Sequence, residues 1–144
     1  MRSVILALSV LCVRLSRAHF LLNYPPSLGF DDGTEGTAPC GGFAVAFNGS
    51  EPTVPVDGFP VAVLSTHPQA QWLFRATLSK QEPFNWTNLL PVVDETGLGH
   101  FCIPNLSAPA EFVGQQGLVQ VIQDAADGEL YQVHQDPGLE TSEF

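Results

Sequence analysis

The residues best suited to chemistry in this chain are its histidines, and one of them stands in an unusual place. His19-Phe20 follows directly on a segment that reads as a secretory leader, with small Ala18 just before it. Cleavage after Ala18 makes His19 the first residue of the exported chain. An N-terminal histidine offers two nitrogen donors, the free α-amine and imidazole Nδ1, which close a six-membered chelate ring on one ion. A second imidazole completes a T-shaped set of three nitrogens, a geometry that suits Cu(II). An α-amine with a pKa of about 8 loses its proton at little cost near neutral pH. Three histidines could supply the second ring: His67 in Ser65-Thr66-His67-Pro68, His100 in Gly99-His100-Phe101-Cys102, and His134. An isolated histidine at a loop end is ordinarily a surface or hydrogen-bonded residue. Its placement first in the chain is what turns His19 toward a metal.

The leader itself has a charged start at Arg2, an apolar run from Val4 to Val13, and Ser16 and Ala18 at the −3 and −1 positions. Arg14 and Arg17 are unusual so close to a cleavage point. The run is about half of the ~20 residues that a bilayer-spanning helix needs, so residues 1–18 are set apart as a signal peptide. The sequons Asn48-Gly49-Ser50, Asn85-Trp86-Thr87 and Asn105-Leu106-Ser107 agree with export and a secreted, glycosylated product. Cys12 leaves with the leader, and a Cys40–Cys102 disulfide is the simplest expectation in an oxidising compartment. Without the leader, Arg75 and Lys80 are the whole basic complement against 15 acidic residues. A polyanion of that kind gains nothing from nucleic acid or from an anionic membrane surface.

The elements that must position these histidines read as strands. With 12 prolines and 13 glycines in 144 residues, long helices are improbable, and apolar residues fall in short runs of period two. Gly42–Phe47, Phe59–Leu64, Trp72–Leu78, Leu118–Ile122 and Leu130–Val133 are the runs, separated by turns such as Asp31-Asp32-Gly33, Asp57-Gly58 and Asp127-Gly128. One short helix is expected over Phe84–Leu90, ended by Pro91, and the polar stretch from His134 to Phe144 reads as an irregular tail. The pattern is that of an antiparallel β-sandwich.

The run from His19 through Asn23-Tyr24-Pro25-Pro26 to Phe30, followed by Thr37-Ala38-Pro39-Cys40-Gly41-Gly42-Phe43, resembles the start of the fungal copper acquisition factor family. Its members are related in shape to lytic polysaccharide monooxygenases (LPMOs). Ser65-Thr66-His67-Pro68 with Trp72-Leu73-Phe74-Arg75-Ala76, then Gly97 to Pro104, and Asp127-Gly128-Glu129-Leu130-Tyr131-Gln132, continue the likeness, which covers nearly all of His19–Gln132. The resemblance implies an all-β, immunoglobulin-like (LPMO-like) sandwich over residues 19–133. It implies one Cu(II) held by His19, His67 and an aspartate, for which Asp127 is favoured and Asp124 is the alternative in the same loop. An anionic oxygen ligand favours Cu(II) over Cu(I) and takes the position where dioxygen would arrive. The implied role is therefore copper uptake or homeostasis at the cell surface without catalysis, with a cell-surface copper transporter as partner. Copper-dependent polysaccharide oxidation is the competing reading; it requires an aromatic platform near His19, for which Phe20, Tyr24 and Trp86 are the candidates.

After Gln132 the chain departs from the family pattern, which continues into cysteines, a Ser/Thr-rich spacer and an anchor signal. Val133-His134-Gln135-Asp136-Pro137-Gly138 stands there instead. A misread gene boundary at the Val133 codon, with a lost cysteine partner and a lost GPI anchor, is the expectation drawn from that break. No G-x-S-x-G, H-E-x-x-H or phosphate-cradling glycine loop is present.

Overall fold

The computed structural model describes residues 18–48 and 50–142; the expected leader except Ala18, and with it Cys12, Arg14 and Arg17, lies outside them. Among the described residues, eight strands form two antiparallel sheets. Strands β1 (Phe20–Tyr24), β2 (Phe59–Ser65) and β6 (Gly99–Leu106) make a three-stranded sheet in the order β1-β2-β6. The second sheet is built on β3 (Gln69–Thr77), with the short strands β4 (Thr87–Asn88) and β5 (Val93–Thr96) on one edge. On the other edge lie β7 (Gly117–Ala125) and then β8 (Gly128–Asp136).

Period-two alternation explains how the sheets face each other. Leu22 and Phe20 on β1, Phe59, Val61 and Val63 on β2, Trp72, Phe74 and Ala76 on β3, and Val119 and Val121 on β7 all turn inward and are buried. Phe20 meets Trp72 edge to face, with ring centroids 5.1 Å apart. Two such aromatic faces carry much of the apolar burial and lock the start of β1 onto the opposite sheet. The all-β sandwich expected from sequence is the fold.

Four local expectations change. Gly42–Phe47 alternates but joins no sheet; Val45 and Phe47 instead pack with Leu28, Phe84 and Trp86 against Cys40, Leu118 and Val133, forming a second apolar cluster. Covering that face is what that alternation serves, and it explains why β7 is buried on both sides. The expected helix over Phe84–Leu90 is replaced by bends and β4, because the segment is drawn along the β3 edge by pairs such as Arg75 with Asn88 and by Leu89 N–H donating to Phe74 O (2.9 Å). Trp86 lies under the Arg75 guanidinium, 4.8 Å from ring centroid to Cζ.

The tail is not irregular at its start. β8 runs on through His134, Gln135 and Asp136 in register with β7 as far as Gly117. Asp136 accepts hydrogen bonds from Val54 N–H (2.7 Å) and Gly138 N–H (2.9 Å), and Leu139 fills the core. Cys40 and Cys102 are both free. Cys40 is buried among Leu118 and Val133 on the five-stranded sheet, whereas Cys102 is exposed on β6 of the other sheet, so the expected disulfide does not form.

Candidate functional site

β1 and β2 pair with Phe20 opposite Ser65, and the ladder extends one step further at the end of the sandwich. Thr66 N–H donates to His19 O (3.0 Å), and the Thr66 hydroxyl both accepts from His19 N–H (2.7 Å) and contacts His19 O (2.8 Å). This register carries His19 to the side of the Thr66-His67-Pro68 turn that joins the two sheets. The third contributor comes from the β7–β8 hairpin, whose two-residue loop is Ala126-Asp127, closed by Gly128 at φ 115°.

His67 is buried and held by two partners. Its Nδ1 lies 2.7 Å from Gln123 Oε1, and Gln123 Nε2 donates to Ser65 Oγ (2.8 Å), which orients the amide with its oxygen toward the ring. Nδ1 therefore carries the donated proton, and Nε2 is the nitrogen that faces Asp127 Oδ1 at 2.6 Å. At that separation the ring nitrogen and the carboxylate oxygen share a hydrogen bond, and both are atoms of kinds that bind metal ions. Fixing one ring nitrogen so that the other is presented is how metal-binding imidazoles are ordinarily oriented.

Asp127 is the more solvated member, with its side chain 36% exposed. Partial burial works against its charge, but the hydrogen bond and positive field of His67, with the backbone N–H of Ala18, outweigh this and hold the carboxyl below the usual aspartate range. Asp127 thus touches both His67 and the residue just upstream of His19. Asp124 pairs with Gln71 and Glu129 in register, and strand alternation turns its side chain to the sheet face opposite Gln123. The structure brings Asp127, and not Asp124, to His67.

His19 has its own carboxylates. Nδ1 is 3.0 Å from Glu35 Oε2, and Nε2 is 3.5 Å from the exposed Asp32 Oδ1. Glu35 is only 1% exposed, because the loop that carries it is pressed onto β8: Tyr131 N–H donates to Glu35 O (2.9 Å), and a Cβ on Gly41 would lie 2.4 Å from Tyr131 O. Gln132 then joins the two sheets, donating from Nε2 to Glu35 Oε1 (2.9 Å) and Phe20 O (2.6 Å) while accepting from Leu22 N–H (3.0 Å). Burial raises the Glu35 carboxyl above its ordinary range, against the opposing pull of the Gln132 and His19 hydrogen bonds.

The other two candidate rings lie elsewhere. His100 is exposed on β6, its Nδ1 at 3.5 Å from the Asn23 amide. His134 is fully buried, with Nδ1 donating to Pro26 O at 2.8 Å. Phe20, a platform candidate, is a core residue, and Trp86 is half-buried in the second apolar cluster. The exposed aromatic beside His19 is Phe30, edge-on at 6.0 Å between centroids.

Among the described residues, no three His, Cys, Asp or Glu side chains are arranged to hold a metal ion. The arrangement consists of two pairs, His67 with Asp127 and His19 with Glu35. His19, Asp32 and Asp127 line one cavity of about 440 Å3 together with Ala18. Gln123 and Gln132 are residues that composition did not bring forward, and Glu35 stood out only as one of an acidic cluster with Asp31 and Asp32, which reads as an ordinary acidic loop. A signal existed for Gln123: it continues the inward phase of Val119 and Val121, and an amide at a core position must find partners.

Two comparisons bear on this geometry. The family model for the copper acquisition factor BIM1-like domain matches residues 17–133. A lytic polysaccharide monooxygenase-like protein X325 from Yarrowia lipolytica (strain CLIB 122 / E 150) is 33% identical over 136 residues, covering 88% of this chain and 51% of that protein. The chain thus spans about half the length of that curated relative. With the family model reaching from the residues before β1 well into β8, this chain belongs to the BIM1-like copper acquisition factor family.

Proposed function

We propose that the exported protein begins at His19 and carries one Cu(II) on the His19 α-amine and imidazole, the His67 imidazole and the Asp127 carboxylate. The observation that carries this reading is the convergence of three sequence-distant pieces at one end of the sandwich. The His19–Thr66 ladder brings His19 alongside the residue that precedes His67, and Asp127 bonds to His67 and lines a cavity with Ala18 and His19. In the uncleaved chain the nitrogen of His19 is a peptide nitrogen that donates to Thr66, and Ala18 occupies Asp127. Removing Ala18 frees the carboxylate and creates an amine next to it. Two imidazoles, an amine and a carboxylate form a donor set that suits Cu(II).

The role proposed is acquisition and delivery of copper outside the cell, with copper as cargo and a surface copper transporter as recipient. Support comes from the family, from the carboxylate at the candidate site, and from the aromatics: among the described residues Phe30 stands exposed beside His19, with Tyr24 exposed at the far end of β1, a poor platform for a sugar chain. Intact mass and metal analysis of the secreted protein test the reading together. The expected result is a chain starting at His19 with one copper, lost in His67→Ala. A chain starting elsewhere, or copper retained without His67, overturns it. Oxidised oligosaccharides formed with reductant above the rate given by free copper would favour the oxidative reading instead.

A further inference from the structure

We propose that the cleft between β5 and β6 binds a small amphiphile, an apolar body bearing a protonated amine that pairs with Glu95. The two sheets part along this edge, where the β5–β6 hairpin crosses from one to the other. The opening leads to a cavity of about 330 Å3 floored by Val61, Val63, Trp72 and Phe74 and walled by Phe101 and Ile103. That volume is at the low end of small-molecule pockets, roughly 300–1,000 Å3, and the apolar lining with one convergent polar group is their usual character.

The polar group is Glu95, 7% exposed. One carboxylate oxygen accepts from the Trp72 indole N–H, and the other, Oε1, is buried with no hydrogen-bond partner. A buried carboxylate oxygen without a donor or counter-charge is costly. Among the described residues the chain offers no cation to satisfy it. Arg75 is bound to Gln120 and Trp86, and Lys80 to Gln116 and the Phe47 ring, and neither lines the cleft. Asp94 at the rim adds a second negative charge. The missing donor and the missing positive charge are both supplied by an ammonium group, while the aromatic floor takes the apolar body. This site is separate from the His19–His67 end and does not depend on copper.

Trp72 on the cleft floor gives the test its reporter, and Trp86 in the second apolar cluster is the internal control. The protein, kept metal-free by chelator so that amines cannot coordinate copper, is titrated with n-octylamine, 1-octanol and octanoate at neutral pH. The indole N–H resonances of both tryptophans are followed. Octylamine is expected to shift the Trp72 signal saturably and to leave Trp86 in place, 1-octanol to bind at least tenfold more weakly, and octanoate to have no effect. Glu95→Gln should reduce octylamine to the level of octanol. Because that change also touches the Trp72 bond, Ile103→Trp, which fills the cleft from the edge strand, should abolish the Trp72 response to octylamine and to octanol with melting unchanged. Octylamine and octanol binding within twofold of each other, full octylamine binding by Glu95→Gln, or no shift of the Trp72 signal would each overturn the proposal.

Discussion

Glu35 and Glu95 are both buried carboxylates in one small sandwich, and their surroundings are opposite. Glu35 spends both oxygens inside the molecule, on Gln132 and His19, and its backbone is clamped between Asp31 and Tyr131. Glu95 has a single donor, Trp72, and a second oxygen buried without a partner, on a residue that lines the cleft. A fully satisfied buried charge fixes geometry; a half-satisfied one leaves a place for something from outside. The contrast assigns the His19 end to pre-organisation and the β5–β6 edge to capture. The network at the His19 end extends from Gln132 through Glu35 to His19, while Gln123 does the same for His67, so inward-facing glutamines on neighbouring strands, β7 and β8, hold the two rings.

The largest effect should come from disrupting the ligands of the proposed metal. Retaining Ala18 before His19 converts the amine to a peptide nitrogen, and His67→Ala removes a ring; either should weaken copper binding about 100-fold or more, measured by competition with a chelating dye. Next, Phe20→Ala should cost about 3–5 kcal/mol in urea unfolding, since the ring is buried against Trp72 at the root of β1. Gln123→Ala leaves both candidate ligands of the His67 pair intact but frees Nδ1, and is expected to weaken copper about 10–100-fold.

The two carboxylates of the site should respond to pH with opposite sign. Asp127 has its folded value lowered, so its stabilisation is present above the ordinary aspartate range and is lost as pH falls through the folded value. Glu35 has its folded value raised, so its contribution is full below the ordinary glutamate range and is lost as pH rises through the folded value. In unfolding titrations of the metal-free protein, Asp127→Asn should remove an acid-side loss and Glu35→Gln a loss on raising pH; equal slopes for both variants would refute the contrast. The smallest effect concerns the thiols. Burial, with the Glu82 charge, pushes Cys40 up to about 11, so at pH 8 iodoacetamide should label exposed Cys102 well before Cys40, read by peptide mass.

Strands β2, β3, β7 and β8 were legible because inward residues such as Val61, Val63, Trp72, Phe74, Val119 and Val121 repeat at a spacing of two. Gly42–Phe47 shows the limit of that signal, since alternation records which residues are covered and not whether their backbone finds a partner. The Phe84–Leu90 expectation failed for a related reason: local capping and Pro91 were weighed without the β3 edge that claims Thr87 and Asn88. His134–Asp136 looked polar enough to fray, yet Asp136 is buried as an acceptor for the Val54 N–H across the chain.

By itself the sequence determined the all-β class, the strands with strict alternation, and the set from which a site could be drawn: His19 behind a segment with the pattern of a leader, His67 before Pro68, and Asp127 in an Asp-Gly turn. These are local properties, written in neighbouring residues. Which histidine stands near which carboxylate is a matter of strand register and sheet packing, and only the tertiary structure decided it. It set His67 on Asp127, took His100 and His134 away, put Cys40 in a turn against the five-stranded sheet and Cys102 on β6 of the other, and left one oxygen of Glu95 without a partner. Those outcomes depend on contacts between residues far apart in the chain, such as Gln132 with Phe20 and Gln123 with His67, whose energies no local pattern encodes.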